Sequence, residues 1–278
     1  HMSIVHAAIL GLVQGLAEFL PISSSGHLIL TRILLGISDS QAATGSYVML
    51  DLLLHGGTLI AILVVFWRDW LEMLRNPFRS KTLLLLFIAS LPALVTAVVA
   101  GDYLNQFFTG WFLGASFLMT ACFLTLADTF SRREVKRDQQ VGVFHALCMG
   151  LMQSIALLPG VSRSGSTIAG GLLSRLNKAA AAKFAFMMSA PAIVGGLIFE
   201  GKDAIEQGFL SDLPLIPVLV GVAVAAISGY FAIRFMLRIV SKSSLLGFAL
   251  YVGMLGLLIL VLQLAGAPFL PPFHFPLQ

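Results

Sequence analysis

The chemistry-bearing residues of this chain fall in two short stretches that are otherwise apolar. In the first, Gln14 and Glu18 precede Pro21 and the run Ser23-Ser24-Ser25-Gly26-His27. Gln14 and Glu18 are four apart, so both project from one face of a helix. A carboxylate in an apolar helix is costly and is by default a functional candidate; the plainer alternative is a Glu paired with a basic residue for folding. After Pro21, hydroxyls and freed backbone N–H groups make an anion cradle, the more so where a new helix begins. Serine becomes a nucleophile when a base lies near it. His27 could supply that base or protonate a leaving oxygen. Ser23 could instead do no more than cap a helix after the break, and a lone His often does no more than hydrogen-bond.

The second stretch reads Pro159-Gly160-Val161-Ser162-Arg163-Ser164-Gly165-Ser166-Thr167. An Arg in a Gly/Ser loop at membrane depth demands an anionic partner, and its planar fork fits phosphate bidentately. Gly160 and Gly165 permit close backbone approach, while Ser162, Ser164 and Thr167 add donors. The structural alternative is an Arg163–Glu18 bridge with no ligand. Asp51 and His55, four apart and followed by Gly56-Gly57, either line the site or form a helix-surface pair. Glu200, Asp203, Glu206 and Asp212 are expected in an outer loop as a solvated face.

The two stretches are copies. Residues 11–27, GLVQGLAEFLPISSSGH, align without a gap on residues 150–166, GLMQSIALLPGVSRSGS, with seven of seventeen positions identical. Around them the chain is 58% hydrophobic and only 11% charged, against about 25% charged in soluble domains. Its apolar runs reach the ~20 residues that cross a hydrocarbon core. Such a chain is a polytopic membrane protein, and its net charge of +4 is no signal for nucleic acid, since basic residues here serve orientation and lipid contact. Cys122 and Cys148 lie in apolar stretches and suggest no disulfide framework. His1-Met2 reads as a cloning remnant, and residues 4–20 lack the basic region of a cleavable signal peptide.

Spans are expected near 47–66, 82–100, 111–127, 184–200, 214–234 and 244–264. The blocks 4–35 and 143–174 are each interrupted by Pro and a Ser/Gly run. A backbone broken in that way is tolerated at membrane depth only where protein or a watery cavity satisfies it. Both are therefore read as re-entrant helix–loop–helix elements, with a kinked single span as the alternative. Segments 67–81, 128–142, 175–183 and 235–243, with Arg234, hold fourteen of the seventeen basic residues. With re-entrant blocks all four face the cytoplasm, as positive-inside bias requires, and both termini lie outside. The expected fold is one all-α membrane domain over 1–278. It comprises two inverted-topology repeats, about 4–127 and 143–264, each one re-entrant element plus three transmembrane helices, a known architecture for ligand sites at the midplane.

QGLAEFLPISSSGH resembles the Gln/Glu-x-x-x-Glu motif with its Ser-rich tract in the bacitracin-resistance family of undecaprenyl-diphosphate phosphatases. LLPGVSRSGST is similar to that family's second signature, Pro-Gly-x-Ser-Arg-Ser-x-x-Thr. The resemblance covers essentially the whole chain. It implies an inner-membrane enzyme, its site opening to the outer side, that hydrolyses undecaprenyl diphosphate to undecaprenyl phosphate and inorganic phosphate. That reaction recycles the lipid carrier of cell-wall synthesis and confers bacitracin resistance. The resemblance also implies a divalent cation, Mg2+ or Ca2+. By motif, Gln14 and Glu18 match the acidic/amide pair in a metal-binding or acid/base role, Ser24 the nucleophile and His27 the catalytic histidine. Arg163 matches the diphosphate-binding arginine, flanked by Ser162, Ser164 and Thr167, with Ser23, Ser25 and Gly160 as further substrate contacts. Many members carry Glu where this chain has Gln14, so the anionic charge there is missing. The partners expected are the polyprenyl diphosphate and the bilayer; a homodimer is compatible with the chain, which by itself fixes no oligomeric state.

Two routes stay open on sequence: attack by Ser24 with His27 taking its proton, or water activated by His27 or Glu18. The rival function is a flippase for a polyprenyl phosphate, which needs no nucleophile–base pair. A non-catalytic scaffold would give no use to so many buried polar groups. A lipid phosphatase of the other kind that uses Ser-Gly-His would need basic and His-Asp motifs that this chain lacks.

Overall fold

A computed structural model of the chain describes residues 3–37, 45–105, 107, 110–133, 136–208 and 214–273. It is all-helical among the described residues: α1 (Ile4–Phe19), α2 (Ser24–Leu34), α3 (Gly45–Val65), α4 (Trp67–Arg75), α5 (Lys81–Asn105), α6 (Leu113–Ser131), α7 (Val143–Ile155), α8 (Arg163–Leu173), α9 (Lys178–Glu206), α10 (Leu215–Lys242) and α11 (Leu246–Leu264). Six of these, α3, α5, α6, α9, α10 and α11, are long and apolar enough to cross a membrane, and they coincide with the six expected spans. Their outward faces stay apolar, with Val98, Val99, Ile198, Phe199, Leu250 and Leu258 exposed, which suits contact with lipid tails.

The two motif-bearing blocks fold differently from the spans. α1 and α2 have 16 and 11 residues, and α7 and α8 have 13 and 11. At about 1.5 Å per residue none reaches the roughly 30 Å of a hydrocarbon core. α1 stops because Leu20 precedes Pro21 and takes an extended conformation (φ −68°, ψ 140°). α7 and α8 turn back on each other: a Cβ placed at Gly170 near the end of α8 would sit 3.0 Å from the Cys148 carbonyl near the start of α7. Their outer ends are tied by a short bridge. Asp138 N–H donates to the Arg175 carbonyl and Asn177 N–H to that of Asp138, both at 3.0 Å.

That bridge is one of several that gather the basic segments at one end of the molecule. Lys183 pairs with Asp69 at 2.5 Å, and Lys178 donates to the Ser243 carbonyl at 3.0 Å. Arg132 donates to Ser244 at 2.8 Å. Buried Asp128 accepts from Arg132 Nε and from Leu245 N–H, capping the start of α11. At the other end, Gln263 Nε2 donates to the carbonyls of Gly110, Trp111 and Pro271, joining the start of α6 to the chain after α11. Segments 128–142 and 175–183 thus meet at one end of the molecule.

α4 is an amphipathic helix lying between two spans, with Met73 buried and Trp67, Leu71 and Leu74 exposed. The acidic residues expected in an outer loop are placed otherwise. Glu200, Asp203 and Glu206 belong to the last turns of α9, because a chain rich in good helix formers propagates the helix past its apolar stretch. Asp212, like His1 and Met2, lies outside the described residues.

α1 packs along α10, and α6 along α11; α3 lies against both α9 and α10, and α5 against α7. Small residues allow these close crossings, as in membrane helix pairs generally. Gly11 and Gly15 on α1 face the backbone of α10 at Gly221 and Ala225, and Gly114 faces Leu260.

Candidate active site

The breaks of the two blocks meet in the middle of the bundle. Gly160 N–H donates to Ser25 Oγ at 3.1 Å, and Ser164 Oγ donates to the Leu20 carbonyl at 3.0 Å. Each contact crosses from one block to the other. α2 and α8 both begin here, so two helix N-termini, each with orphan N–H groups and a partial positive charge, open on the same volume. Their caps are serines: Ser23 accepts from Gly26 N–H at 3.2 Å and Ser162 from Gly165 N–H at 3.0 Å. Capping is thus a role both serines do fill. Ser23 does so with a φ of 76°, an unusual conformation for a residue with a Cβ and one that costs on the order of 1–3 kcal/mol.

Glu18, 5% exposed on α1, is the hub. Its Oε1 pairs with the guanidinium of Arg163. Its Oε2 accepts from Ser24 Oγ at 2.7 Å and from Gln14 Nε2 at 3.1 Å, with His55 Nε2 3.9 Å away. The Arg163–Glu18 bridge that the sequence offered as an alternative to a ligand contact is therefore formed. Ser24 meets Glu18 rather than His27. His27 Nδ1 is 2.7 Å from the Ser23 carbonyl and its Nε2 is 2.8 Å from Tyr251 Oη of α11.

Of the remaining expected residues, Ser23 and Ser25 lie 3.4 Å apart between their oxygens, and Ser162 and Ser164 3.3 Å apart. Thr167 turns its hydroxyl to the carbonyls of Arg163 and Ser164, so it braces α8. Gly160 has a φ of 86°, and a Cβ there would lie 2.8 Å from Ser116 Cβ; only glycine suits both demands. His55 Nδ1 donates to the Asp51 carbonyl at 2.8 Å, and the Asp51 carboxylate pairs with Arg32 of α2. His55 therefore borders the Glu18 cluster, while Asp51 is engaged with Arg32.

Sequence reading missed the platform beneath both breaks. Ser116 and Thr120 on α6, four apart and fully buried, hold the second loop. Ser116 donates to the Pro159 carbonyl at 2.7 Å, and Thr120 accepts from Ser162 N–H at 3.0 Å. Between them in sequence, Phe117 packs edge-on against His27 at 5.4 Å. The available signal was a hydroxyl pair at i, i+4 inside an apolar span, which usually reads as packing glue.

For a divalent cation, the donor set is a partial one. Among the described residues no three His, Cys, Asp or Glu side chains gather to hold a metal. Gln14 Oε1, however, is buried with nothing donating to it and sits beside Glu18. A carboxylate plus a free amide oxygen suits a hard cation that completes its shell with water and ligand phosphate.

A membrane protein that is helical throughout its described residues has here gathered a carboxylate, a guanidinium and a row of hydroxyls onto two helix N-termini, an arrangement with the chemistry to hold a phosphorylated ligand. The family described as "Bacitracin resistance protein BacA" matches residues 7–258. The chain is 39% identical over 267 residues to a protein of Carboxydothermus hydrogenoformans named undecaprenyl-diphosphatase, covering 95% of this chain and 99% of that one. It is 38% identical over 266 residues to an undecaprenyl-diphosphatase of Halothermothrix orenii, covering 94% and 98%. Over 263 residues it is 38% identical to undecaprenyl-diphosphatase 3 of Bacillus cereus, again covering 94% and 98%. The chain belongs to the bacitracin resistance protein family.

Proposed function

We propose that this protein is a membrane phosphatase that hydrolyses undecaprenyl diphosphate to undecaprenyl phosphate and inorganic phosphate, recycling the carrier lipid and so conferring bacitracin resistance. The observation that carries the reading is the pairing of Ser24 Oγ with Glu18 Oε2 at 2.7 Å beside Arg163. It puts nucleophile, base and phosphate ligand on one carboxylate, in a chain related over nearly its whole length to undecaprenyl-diphosphatases. Phosphate release from undecaprenyl diphosphate by purified protein, wild type against Arg163→Ala, tests it.

The resting site holds Arg163 on Glu18. An incoming diphosphate competes for that guanidinium, to which it can offer two oxygens at once, and draws it off the carboxylate. Glu18 is then free to take the Ser24 proton. Ser24 Oγ attacks the terminal phosphorus in line with the bridging oxygen; the bond to that oxygen breaks and undecaprenyl phosphate leaves. Water then opens the phosphoserine: its proton passes to His27, and Glu18 returns the proton it took to the departing Ser24 oxygen. Arg163 and the N–H groups opening α2 and α8 oppose the charge that builds on the phosphoryl oxygens. Gln14 Oε1 and Glu18 are the groups that would hold a divalent cation, Mg2+ or Ca2+, which would neutralise further diphosphate charge.

The same reading includes two inverted repeats. It is supported by the way packing exchanges between them: α1 lies on α10 as α7 lies on α5, and α6 meets its counterpart α11 as α3 meets α9. It also includes an inner-membrane orientation with the basic end toward the cytoplasm. Arg68, Arg75, Arg132, Lys178, Arg238 and Lys242 belong to that end, and positive-inside bias directs such loops inward. The termini and the opening toward substrate then face outside. The lipid tail would remain between spans while the headgroup reaches the broken hairpins.

A further inference from the structure

His27 is held on three sides, and one of its partners comes from the opposite end of the chain. Tyr251 of α11 places its hydroxyl 2.8 Å from His27 Nε2 and its ring nearly parallel to the imidazole, 5.7 Å between centroids with a 23° tilt. Phe117 closes the other face edge-on at 5.4 Å. On the far side of the ring, Nδ1 lies 2.7 Å from the Ser23 carbonyl. A carbonyl only accepts, so Nδ1 must carry hydrogen, and in the neutral imidazole Nε2 is left as the lone-pair nitrogen. The Tyr251 hydroxyl donates to that lone pair. When the ring is protonated, the same hydroxyl turns and accepts from Nε2–H.

From this geometry we infer that Tyr251 is a positioning residue for His27: with the Ser23 carbonyl holding hydrogen on Nδ1, the Tyr251 hydroxyl and ring orient the imidazole and hold Nε2 in place as the working nitrogen. The inference rests on the phosphatase reading above, in which His27 receives a proton while the phosphoserine is opened. Two properties single out Tyr251 among the groups around the ring. Among the described residues it alone meets the nitrogen that exchanges a proton, and a hydroxyl serves both protonation states where a carbonyl or an ammonium serves one. It is also 44% exposed on a span that faces lipid, so its hydroxyl is within reach of a lipid headgroup entering beside α11.

The test compares Tyr251→Phe, His27→Gln and the double variant, with phosphate release from farnesyl diphosphate as the assay. Phenylalanine keeps the ring and its stacking, so the fold is spared. Tyr251→Phe is expected to lower kcat about tenfold, the rate equivalent of one hydrogen bond, with KM within about twofold of wild type. The double variant is expected to be no slower than His27→Gln alone. Wild-type kcat in Tyr251→Phe, or losses that multiply in the double variant, would overturn the inference. The nitrogen-15 NMR spectrum of histidine-labelled protein gives an assay-free reading, with His27 assigned by its loss in His27→Gln. The wild type should show hydrogen on Nδ1 at neutral charge and an Nε2 resonance displaced by the tyrosine hydrogen bond, a displacement lost in Tyr251→Phe; hydrogen on neutral Nε2 in the wild type would overturn it. A wild type that releases no phosphate would defeat the phosphatase reading instead, and the spectrum would still decide the Tyr251–His27 assignment.

Discussion

Ser24 and Arg163 occupy the same register position in the two aligned blocks, the first helical residue after the break, and both close on Glu18. One copy of the repeat thus offers a hydroxyl where the other offers a guanidinium. The carboxylate that joins them comes from the first copy, at the position where the second has Leu157. The repeated element is asymmetric at the few positions that bear charge; under the proposed mechanism that asymmetry puts a nucleophile on one wall and a phosphate ligand on the other.

Glu18→Gln removes the base and strands Arg163. Phosphate release should fall by ~10²–10⁴, the usual range for a lost general base. Breaking a largely buried ion pair from one side costs about 3 kcal/mol, so the variant should also melt several degrees below wild type. Release assays and a thermal unfolding scan in detergent check both; unchanged melting would mean the pair is better hydrated than 3% exposure of the Glu18 side chain implies.

Ser24 as nucleophile predicts a covalent phosphoserine. Acid quenching during turnover of undecaprenyl diphosphate labelled at the terminal phosphate should leave label on the protein, mapped to Ser24 by mass spectrometry. Ser24→Ala should carry none and lose at least ~10²-fold in rate. Label absent from an active wild type would transfer the chemistry to a water held by Glu18.

Gln14 as a cation ligand predicts a separable effect. Chelator should abolish release from wild type, and restored Mg2+ should recover it. Gln14→Leu should need about ten times more Mg2+ for half-maximal rate while keeping most of the rate at saturation, since one neutral oxygen among several is lost. The same Mg2+ dependence in variant and wild type would place the cation elsewhere.

The platform on α6 predicts effects without chemistry. Thr120→Val keeps shape but leaves the buried Ser162 N–H unpaired, at a cost of about 1–3 kcal/mol. Gly160→Ala meets both an unfavourable φ and Ser116 Cβ at 2.8 Å, and should cost more than ~1 kcal/mol. Both should lower the melting temperature, and Gly160→Ala should raise KM as well by shifting Arg163.

The spans were legible because hydropathy over some twenty residues is a strong, local signal, and all six came out where the apolar runs lie. The roster of polar residues at the breaks was legible for the same reason: Glu18 and Arg163 stand out in an apolar chain. Which partner each one takes was not. Ser24 lies three residues from His27 and six from Glu18, so proximity in sequence favours the histidine; the turn at Pro21 folds α2 back so that Ser24 faces α1 instead. Tyr251 and Thr120 were invisible because their contacts span 224 and 42 positions, and nothing local marks a tyrosine or threonine in a span as special. Helix ends were misplaced where polar residues still favour helix, as at Glu200 in α9.

The most direct test of the account is phosphate release from undecaprenyl diphosphate by detergent-purified protein, measured with Mg2+, with chelator, and in Arg163→Ala. The account predicts release in the first condition, none with chelator, and a loss of at least ~10²-fold in the variant. A folded wild type that binds the lipid yet releases no phosphate would contradict it and leave these broken hairpins as the site of a polyprenyl-phosphate transporter.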